Sequence, residues 1–289
     1  MNFEKLREME SFTQDMFNRI LAFQDKEHAA WDESLDFSQR INNLPLHYMV
    51  FSNGDRNPDT HGPTVNHFYP LRNEMQTLAN YINQLGAGVQ VTDVEARNGF
   101  VGSLLAREGI SVTGLRSNDE KPGQIENFYD ASCYKITPGD ISTLDKTDVV
   151  FSSWLSADKD LSQDILRLNP SMVIYIYSET KDPETHKMLT GTENSFGEGL
   201  GDAYRILDEW QIERPEDLFH AIWPDLTPSP TETRHTRVLV RADIDISQQR
   251  IDAGIQHGYD WEKELDMALT AHIAKAEVEK RGFPTGNAL

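Results

Sequence analysis

Apolar side chains between residues 70 and 241 recur at two different spacings, which predicts helices alternating with strands. Spacings of three and four residues, which gather side chains on one helix face, mark residues 70–85, 100–108, 161–168 and 203–210. Short runs rich in β-branched and other apolar residues mark strands at 89–94, 110–115, 133–136, 148–154, 171–177 and 237–241. This alternation predicts an α/β fold, with a mainly parallel, doubly wound sheet covered by helices on both faces.

Helical periodicity also occurs outside this region, at residues 1–43 and 248–281. We therefore expect an N-terminal helical extension and loop over 1–69, an α/β domain over 70–243 and a C-terminal helical extension over 244–289. The apolar faces of the extensions are compatible with packing on the main domain, with a homo-oligomer interface or with a lid. Residues 52–67 are rich in Gly, Pro, Asn and Asp, which predicts a long loop.

The turn between the first predicted strand and the following helix, residues 94–99, is the first candidate for chemistry. In a parallel sheet such a turn presents free backbone amides at the helix N-terminus, where a ligand can lie against the backbone. Ligands of open α/β sheets bind at this carboxyl edge. Asp93 precedes the turn and Gly99 ends it.

The order of elements over residues 70–241, with Asp93 and Gly99 in these places, resembles class I S-adenosylmethionine-dependent methyltransferases. That family has an acidic residue near the end of its first strand and a Gly-x-Gly-x-Gly turn after it. The resemblance implies a Rossmann-like sheet of seven strands and S-adenosylmethionine as the cofactor. It also implies these cofactor-binding residues: Asp93, Glu95, Arg97, Asn98, Gly99, Arg116, Asp140, Ser153 and Trp154.

The chain departs from the family pattern at the turn and after the second strand. Glu95 and Arg97 stand where the family has its first two glycines. Arg116 stands where the family has the carboxylate that binds the ribose hydroxyls, and arginine cannot accept a hydrogen bond. Asp119 or Glu120 can take that role if the loop bends back.

The resemblance also gives roles to three later residues. Asp140 stands where the family often has a polar residue near the adenine, and Ser153 and Trp154 end the fourth strand, which faces the substrate in the family. Trp154 is equally compatible with a place in the core. Asp202 follows a glycine-rich segment and is expected to cap a helix over 203–210. No catalytic residue can be named from the sequence.

Three functions remain open at this point. The first is a divergent methyltransferase whose acceptor is unknown. The second is a catalytically inactive, methyltransferase-like scaffold or interaction protein, which the two replaced glycines favour. The third is a binder of a small anionic ligand in the same pocket, held by Arg97 and Arg116.

The net charge of −20, from 47 acidic and 27 basic side chains, disfavours negatively charged binding partners. Such a surface repels nucleic acids and anionic membranes, so we expect a small-molecule or protein substrate. The single cysteine, Cys133, excludes an internal disulfide. No signal-peptide stretch is seen, and the apolar run 172–177 is too short to span a bilayer, so we expect a cytoplasmic protein. His47, His61 and His67 match no zinc spacing, and no metal is expected.

Overall fold

The computed structural model describes residues 34–37, 39, 66–68, 70, 72–120, 123, 125–182, 184–213, 233–248 and 280–282. The chain divides into two compact units, one of which comprises Pro70–Pro215 and Thr231–Tyr259. The other comprises Met1–Tyr69, Glu216–Pro230 and Asp260–Leu289. The helices expected over 1–43 and 248–281, the loop 52–67 and the lid hypothesis fall almost wholly outside the described residues. The helices and strands described below belong to the unit of Pro70–Pro215 and Thr231–Tyr259.

Helices and strands alternate in this unit as the sequence predicts over most of its length. The helices are α1 (Arg72–Asn83), α2 (Phe100–Arg107) and α3 (Ser162–Leu168). The strands are β1 (Gln90–Val94), β2 (Ser111–Arg116), β3 (Tyr134–Pro138), β4 (Val149–Ser153), β5 (Met172–Ser178), β6 (Tyr204–Glu213) and β7 (Thr233–Arg241). Within the part of the chain that the structure describes, no helix has both the length and the apolar character needed to cross a bilayer.

The seven strands form one sheet in the order β3-β2-β1-β4-β5-β7-β6. Strands β1 to β5 pair in parallel, whereas β7 runs antiparallel to both β5 and β6. The mostly parallel α/β architecture is therefore confirmed, with one reversed strand that the sequence does not reveal. The order of the first five strands is that of Rossmann folds, in which the switch point lies between β1 and β4.

Helices cover both faces of the sheet. Every residue of β5 is buried, as expected for a central strand with both faces covered. On one face, Ile165 and Leu168 of α3 share a core cluster with Val94 of β1. On the other face, Gly102 of α2 lies directly against Asp93. Because neighbouring residues of a strand point to opposite faces, β1 divides its side chains between two environments.

The helix predicted over 203–210 is wrong, because these residues begin β6. A β-bulge between Ile206 and Asp208 adds one residue and breaks the strand alternation. As a result Tyr204, Leu207 and Trp210 are all buried, three residues apart, which imitates the spacing of a helix. Asp202 accordingly caps no α-helix, and it lies within a 3-10 helix, Glu198–Ala203, that leads into the strand.

Candidate functional site

A pocket of about 160 Å³ opens at the carboxyl ends of β1 and β2, next to the start of α3. Its apolar lining comes from Val94, Leu115, Ile141 and Leu161. Its charged lining consists of one lysine, Lys159, and five carboxylates, which are Glu95, Glu120, Asp140, Asp160 and Asp164. The pocket therefore lies at the switch point of the sheet and is strongly acidic.

The turn after β1 has a backbone conformation that is usual for glycine. Glu95 and Arg97 have φ angles of +55° and +48°, and Gly99 has +84°. For a residue with a Cβ this left-handed conformation costs roughly 1–2 kcal/mol. Glu95 and Arg97 thus adopt a backbone conformation that favours glycine, and each adds a long side chain to the turn.

Glu95 ties this turn to the loop that follows β4. Its side chain is only 6% exposed and forms an ion pair with Lys159 through Oε1. Its other oxygen, Oε2, accepts a 2.7 Å hydrogen bond from the backbone N–H of Ser156. Burial alone would lower the pKa of the Lys159 ammonium, but the hydrogen bond and charge of Glu95 raise it above its usual value. The side chain of Glu95 therefore bridges the crevice between β1 and β4.

Glu120 brings a carboxylate to the wall of the pocket. Its oxygens accept hydrogen bonds from the backbone N–H groups of Arg97 and Ser117. Burial raises its pKa to about 7, a change that these hydrogen bonds oppose and the charge of Glu95 assists. Asp119, the other carboxylate considered for this role, is exposed and does not line the pocket.

Ser117 directly follows β2, and its hydroxyl group makes no hydrogen bond within the described residues. Its Oγ is buried and has no hydrogen-bond partner among the described residues. The residue lines the pocket beside Glu120. Buried hydroxyl groups are almost always hydrogen-bonded, so an unpartnered one in a pocket wall indicates a place for a ligand or a water molecule.

Arg116 does not line the pocket, and its side chain stabilises the turn after β1. Its Nε donates a 2.7 Å hydrogen bond to the carbonyl of Arg97. Its two Nη atoms donate to Oδ1 of Asn127, and Nη2 also donates to the carbonyl of Glu126. The guanidinium is thus occupied by oxygen atoms of the protein itself.

Asn98 and Gly99 serve the local packing of the same turn. Oδ1 of Asn98 accepts a 3.2 Å hydrogen bond from the N–H of Phe100, the first residue of α2. A Cβ on Gly99 would lie 2.9 Å from carbon atoms of both Tyr129 and Tyr134. The remaining glycine is therefore required by aromatic neighbours, and its replacement would disturb the fold before it reported on a ligand.

Asp93 lies on the face of β1 opposite to Val94, towards α2. The residue is 2% exposed, and its Oδ2 accepts a 2.6 Å hydrogen bond from the Tyr134 hydroxyl. Burial raises the pKa of Asp93 to about 7, although the hydrogen bond from Tyr134 opposes this change. It does not line the pocket.

The last three expected cofactor residues have different surroundings. Asp140 lines the pocket, and its Oδ1 caps a short 3-10 helix by accepting from the N–H of Ser142. That hydrogen bond holds the pKa of Asp140 below its usual range. Ser153 is half-buried at the end of β4, and Trp154 is 5% exposed with a φ of +66°. Neither Ser153 nor Trp154 lines the pocket.

The sequence analysis did not predict four of the residues that line the pocket, which are Ser117, Lys159, Asp160 and Asp164. The last three follow β4, and the carboxyl ends of parallel strands meet at one edge, so their position was a usable signal. Within the described residues, no group of three or more His, Cys, Asp or Glu side chains is arranged to hold a metal ion. His47 and His61 lie outside those residues.

No protein-family model and no curated protein sequence matches this chain. Several solved structures are similar to this chain. The magnesium protoporphyrin IX methyltransferase of Synechocystis PCC 6803, with bound SAH, is 13% identical, with 59% of this chain and 82% of that chain covered and a TM-score of 0.39. The YcgJ protein of Bacillus subtilis is 10% identical, with 58% and 99% covered and a TM-score of 0.39.

A third structure, the tRNA (uracil-54, C5)-methyltransferase of Pyrococcus abyssi in complex with S-adenosyl-L-homocysteine, is 16% identical. The match covers 61% of this chain and 39% of that chain, with a TM-score of 0.33. At such low identities and TM-scores, the fold assignment rests on the strand order and directions given above. The chain thus has a Rossmann-like α/β fold that resembles that of class I S-adenosylmethionine-dependent methyltransferases.

Proposed function

We propose that the chain binds S-adenosylmethionine in the acidic pocket and acts as a divergent methyltransferase whose acceptor is unassigned. The observation that carries this proposal is the pairing of Glu120 with the unpartnered hydroxyl of Ser117 at the end of β2. A carboxylate beside a free hydroxyl is suited to binding the two hydroxyl groups of a ribose.

The charge of the pocket supports a cationic ligand. Its lining holds five carboxylates and one lysine, and that lysine is already paired with Glu95. An anion would be repelled there, since charges in a low-dielectric cleft interact strongly. The anion-binding alternative is further weakened because the guanidinium of Arg116 is engaged by Arg97, Asn127 and Glu126.

The residues present fit the nucleoside part of the proposed cofactor. Glu120 and Ser117 would hold the ribose, and Asp140 would accept from the adenine amino group. The apolar side chains of Leu115, Ile141 and Leu161 would contact the faces of the base. When bound, the cofactor supplies a methyl group on a positively charged sulfur. The chain's own contribution is then to align donor and acceptor and exclude water, and a general base is required only if the acceptor loses a proton.

The pocket is small for such a ligand. Its volume of about 160 Å³ lies below the range of roughly 300–1,000 Å³ usual for small-molecule sites. The side chain of Glu95 and its partner Lys159 lie at one wall, so their rearrangement is the step that would enlarge it.

The bridge from Glu95 to Ser156 and Lys159 favours a second candidate, an inactive methyltransferase-like scaffold. In that case the bridge is a structural tie that replaces the ligand, and the fold serves only to present a surface. Fold alone does not distinguish the two candidates, because the same architecture hosts many functions.

Isothermal titration of the full chain with S-adenosylmethionine and with S-adenosylhomocysteine separates them. The proposal expects micromolar binding, with S-adenosylmethionine preferred because only it carries the positive sulfur. Asp119→Asn, which changes an exposed carboxylate next to Glu120, is the matched control and should bind as the unmodified protein does. No heat from either ligand at millimolar concentration would overturn the proposal in favour of the scaffold.

A further inference from the structure

We propose that Lys159 is an internal counter-ion that occupies the place of the ligand's positive group, so that a cationic ligand binds by exchanging with it at Glu95. The inference rests on the proposed function, since it specifies which ligands that pocket accepts. It assigns Glu95 and Lys159 the role of selecting a charged ligand over a neutral one of the same shape.

The two members of the pair are unequally exposed. The Glu95 side chain is 6% exposed, whereas that of Lys159 is 38% exposed. Glu95 is fixed by the backbone N–H of Ser156, while lysine carries its charge on a flexible stem of four carbons. The carboxylate is therefore the fixed element of the pocket, and the ammonium is the element that can leave towards solvent.

A buried carboxylate does not tolerate the loss of its partner. Removing one member of a buried ion pair leaves an uncompensated charge, which is strongly unfavourable. Glu120 and Asp140 lie near Lys159 and also favour its charged form, so their negative charge adds to that of Glu95. Departure of Lys159 is therefore unfavourable unless another positive group takes its place.

Selectivity for charge follows from this exchange. A neutral ligand that displaced Lys159 would leave Glu95 unpaired, whereas a ligand with a positive group restores the pair. S-adenosylmethionine and S-adenosylhomocysteine differ in that the first carries a positively charged sulfur and the second a neutral one. The pair of ligands therefore serves as a probe for the pocket's preference.

The test measures the ratio of the two dissociation constants, by titration, in the unmodified chain and in Lys159→Gln. An opposite charge within a few ångströms is worth one to three pKa units, so the preference for S-adenosylmethionine should rise about tenfold or more in the variant. Lys159→Arg keeps the charge and should retain the original ratio. Lys187→Gln removes the lysine of an exposed ion pair with Asp158 and is the matched control.

A second measurement uses the unmodified chain, so it does not depend on the folding of a variant. Saturation with S-adenosylmethionine should increase the labelling of Lys159 by an amine-reactive reagent, read by mass spectrometry, and saturation with S-adenosylhomocysteine should not. A positive result in both measurements supports the exchange.

The failures are distinguishable. Binding of S-adenosylmethionine with an unchanged ratio in Lys159→Gln and unchanged labelling overturns the counter-ion role and leaves the proposed function standing. Absence of binding by the unmodified chain and by every variant overturns both. Binding that appears only in Lys159→Gln overturns the exchange and the proposed function of the unmodified chain, since it shows that Lys159 closes the site and does not leave it.

Discussion

The hydroxyl of Tyr134 on β3 donates a 2.6 Å hydrogen bond to Oδ2 of Asp93 on β1, across the whole width of β2. The contact is possible because Gly114, the β2 residue paired with Asp93, has no side chain: a Cβ there would overlap the Tyr134 hydroxyl. Gly102 of α2 leaves similar room on the helix side. The two glycines thus leave the space in which the buried carboxyl group of Asp93 and the hydroxyl of Tyr134 meet.

The first prediction concerns the pH dependence of stability. The pKa of Asp93 rises from 3.8 to about 7 in the folded chain. The folded state then binds more protons than the unfolded state between these values, so this stability is present at low pH and lost as pH rises through about 7. Asp93→Asn should reduce the difference in unfolding free energy between pH 5 and pH 8 by on the order of 3 kcal/mol.

Urea unfolding at the two pH values measures this difference. Tyr134→Phe is an informative companion, because loss of the hydrogen bond to the charged form should raise the pKa of Asp93 further and move the transition to higher pH. Parallel pH profiles for Asp93→Asn and the unmodified chain would contradict the assignment. Glu120, whose pKa is also raised to about 7, should contribute to the pH dependence in the same direction as Asp93.

The second prediction concerns Gly102. In an ordinary helix interior, Gly→Ala is stabilising by about 1 kcal/mol. At this position the added Cβ would overlap Oδ2 of Asp93 and approach the Tyr134 ring, so we expect Gly102→Ala to be destabilising instead. Thermal unfolding followed by circular dichroism gives the sign. Combination with Asp93→Ala should recover part of the loss, and a stabilising effect of Gly102→Ala alone would show that the contact is absent.

The third prediction concerns Glu120 and ligand affinity. Glu120→Gln keeps the size of the side chain but removes its charge and one acceptor, so the dissociation constant for S-adenosylmethionine should rise about tenfold, the worth of a charge-assisted hydrogen bond. Asp119→Asn should leave it unchanged. Equal affinities for both variants, measured by isothermal titration, would remove Glu120 from the binding site.

The fourth prediction concerns a buried ion pair that does not line the pocket. Oε2 of Glu74 on α1 accepts a 2.7 Å hydrogen bond from Nη2 of Arg234 on β7, and its Oε1 accepts from Trp210 Nε1. The Glu74 side chain is fully buried and that of Arg234 is 9% exposed. Glu74→Gln should therefore lower the unfolding free energy by about 3–5 kcal/mol, because it removes one charge of a buried, hydrogen-bonded ion pair.

The more exposed pair of Arg237 and Glu209 is the matched control for this change. Glu209→Gln should have an effect of about 1 kcal/mol or less, as is usual for ion pairs near the surface. Denaturant unfolding of both variants under the same conditions provides the comparison. Effects of equal size would mean that burial does not distinguish the two pairs.

How much of this could be predicted from the sequence depends on the range of the interactions. The periodicities of α1 to α3 and of most strands are local, and they predict the elements and the class of fold. The partners of buried charged side chains are not local. Glu95 contacts Ser156, 61 positions later, and Arg234 contacts Glu74, 160 positions earlier, and no pattern near either residue reveals such a partner.

The candidate site shows the same division. The turn itself could be located from Asp93 and Gly99, but whether a side chain there enters the pocket depends on backbone angles. The left-handed conformation at Glu95 and Arg97 is unusual for residues with a Cβ, so these two residue types do not themselves indicate it. Ser117 stands out only once its hydroxyl is seen to be buried without a partner.

The bulge in β6 has a consequence for tracing the ancestry of this chain. A strand with one extra residue changes the face on which every later residue lies, so Asp208 and Trp210 are buried only because Leu207 precedes them as the additional position. Relatives without the bulge should carry a one-residue deletion there. An alignment that forces continuous pairing through Leu207 will match interior positions with surface ones, and genuine homologues will then appear unrelated along the outer edge of the sheet.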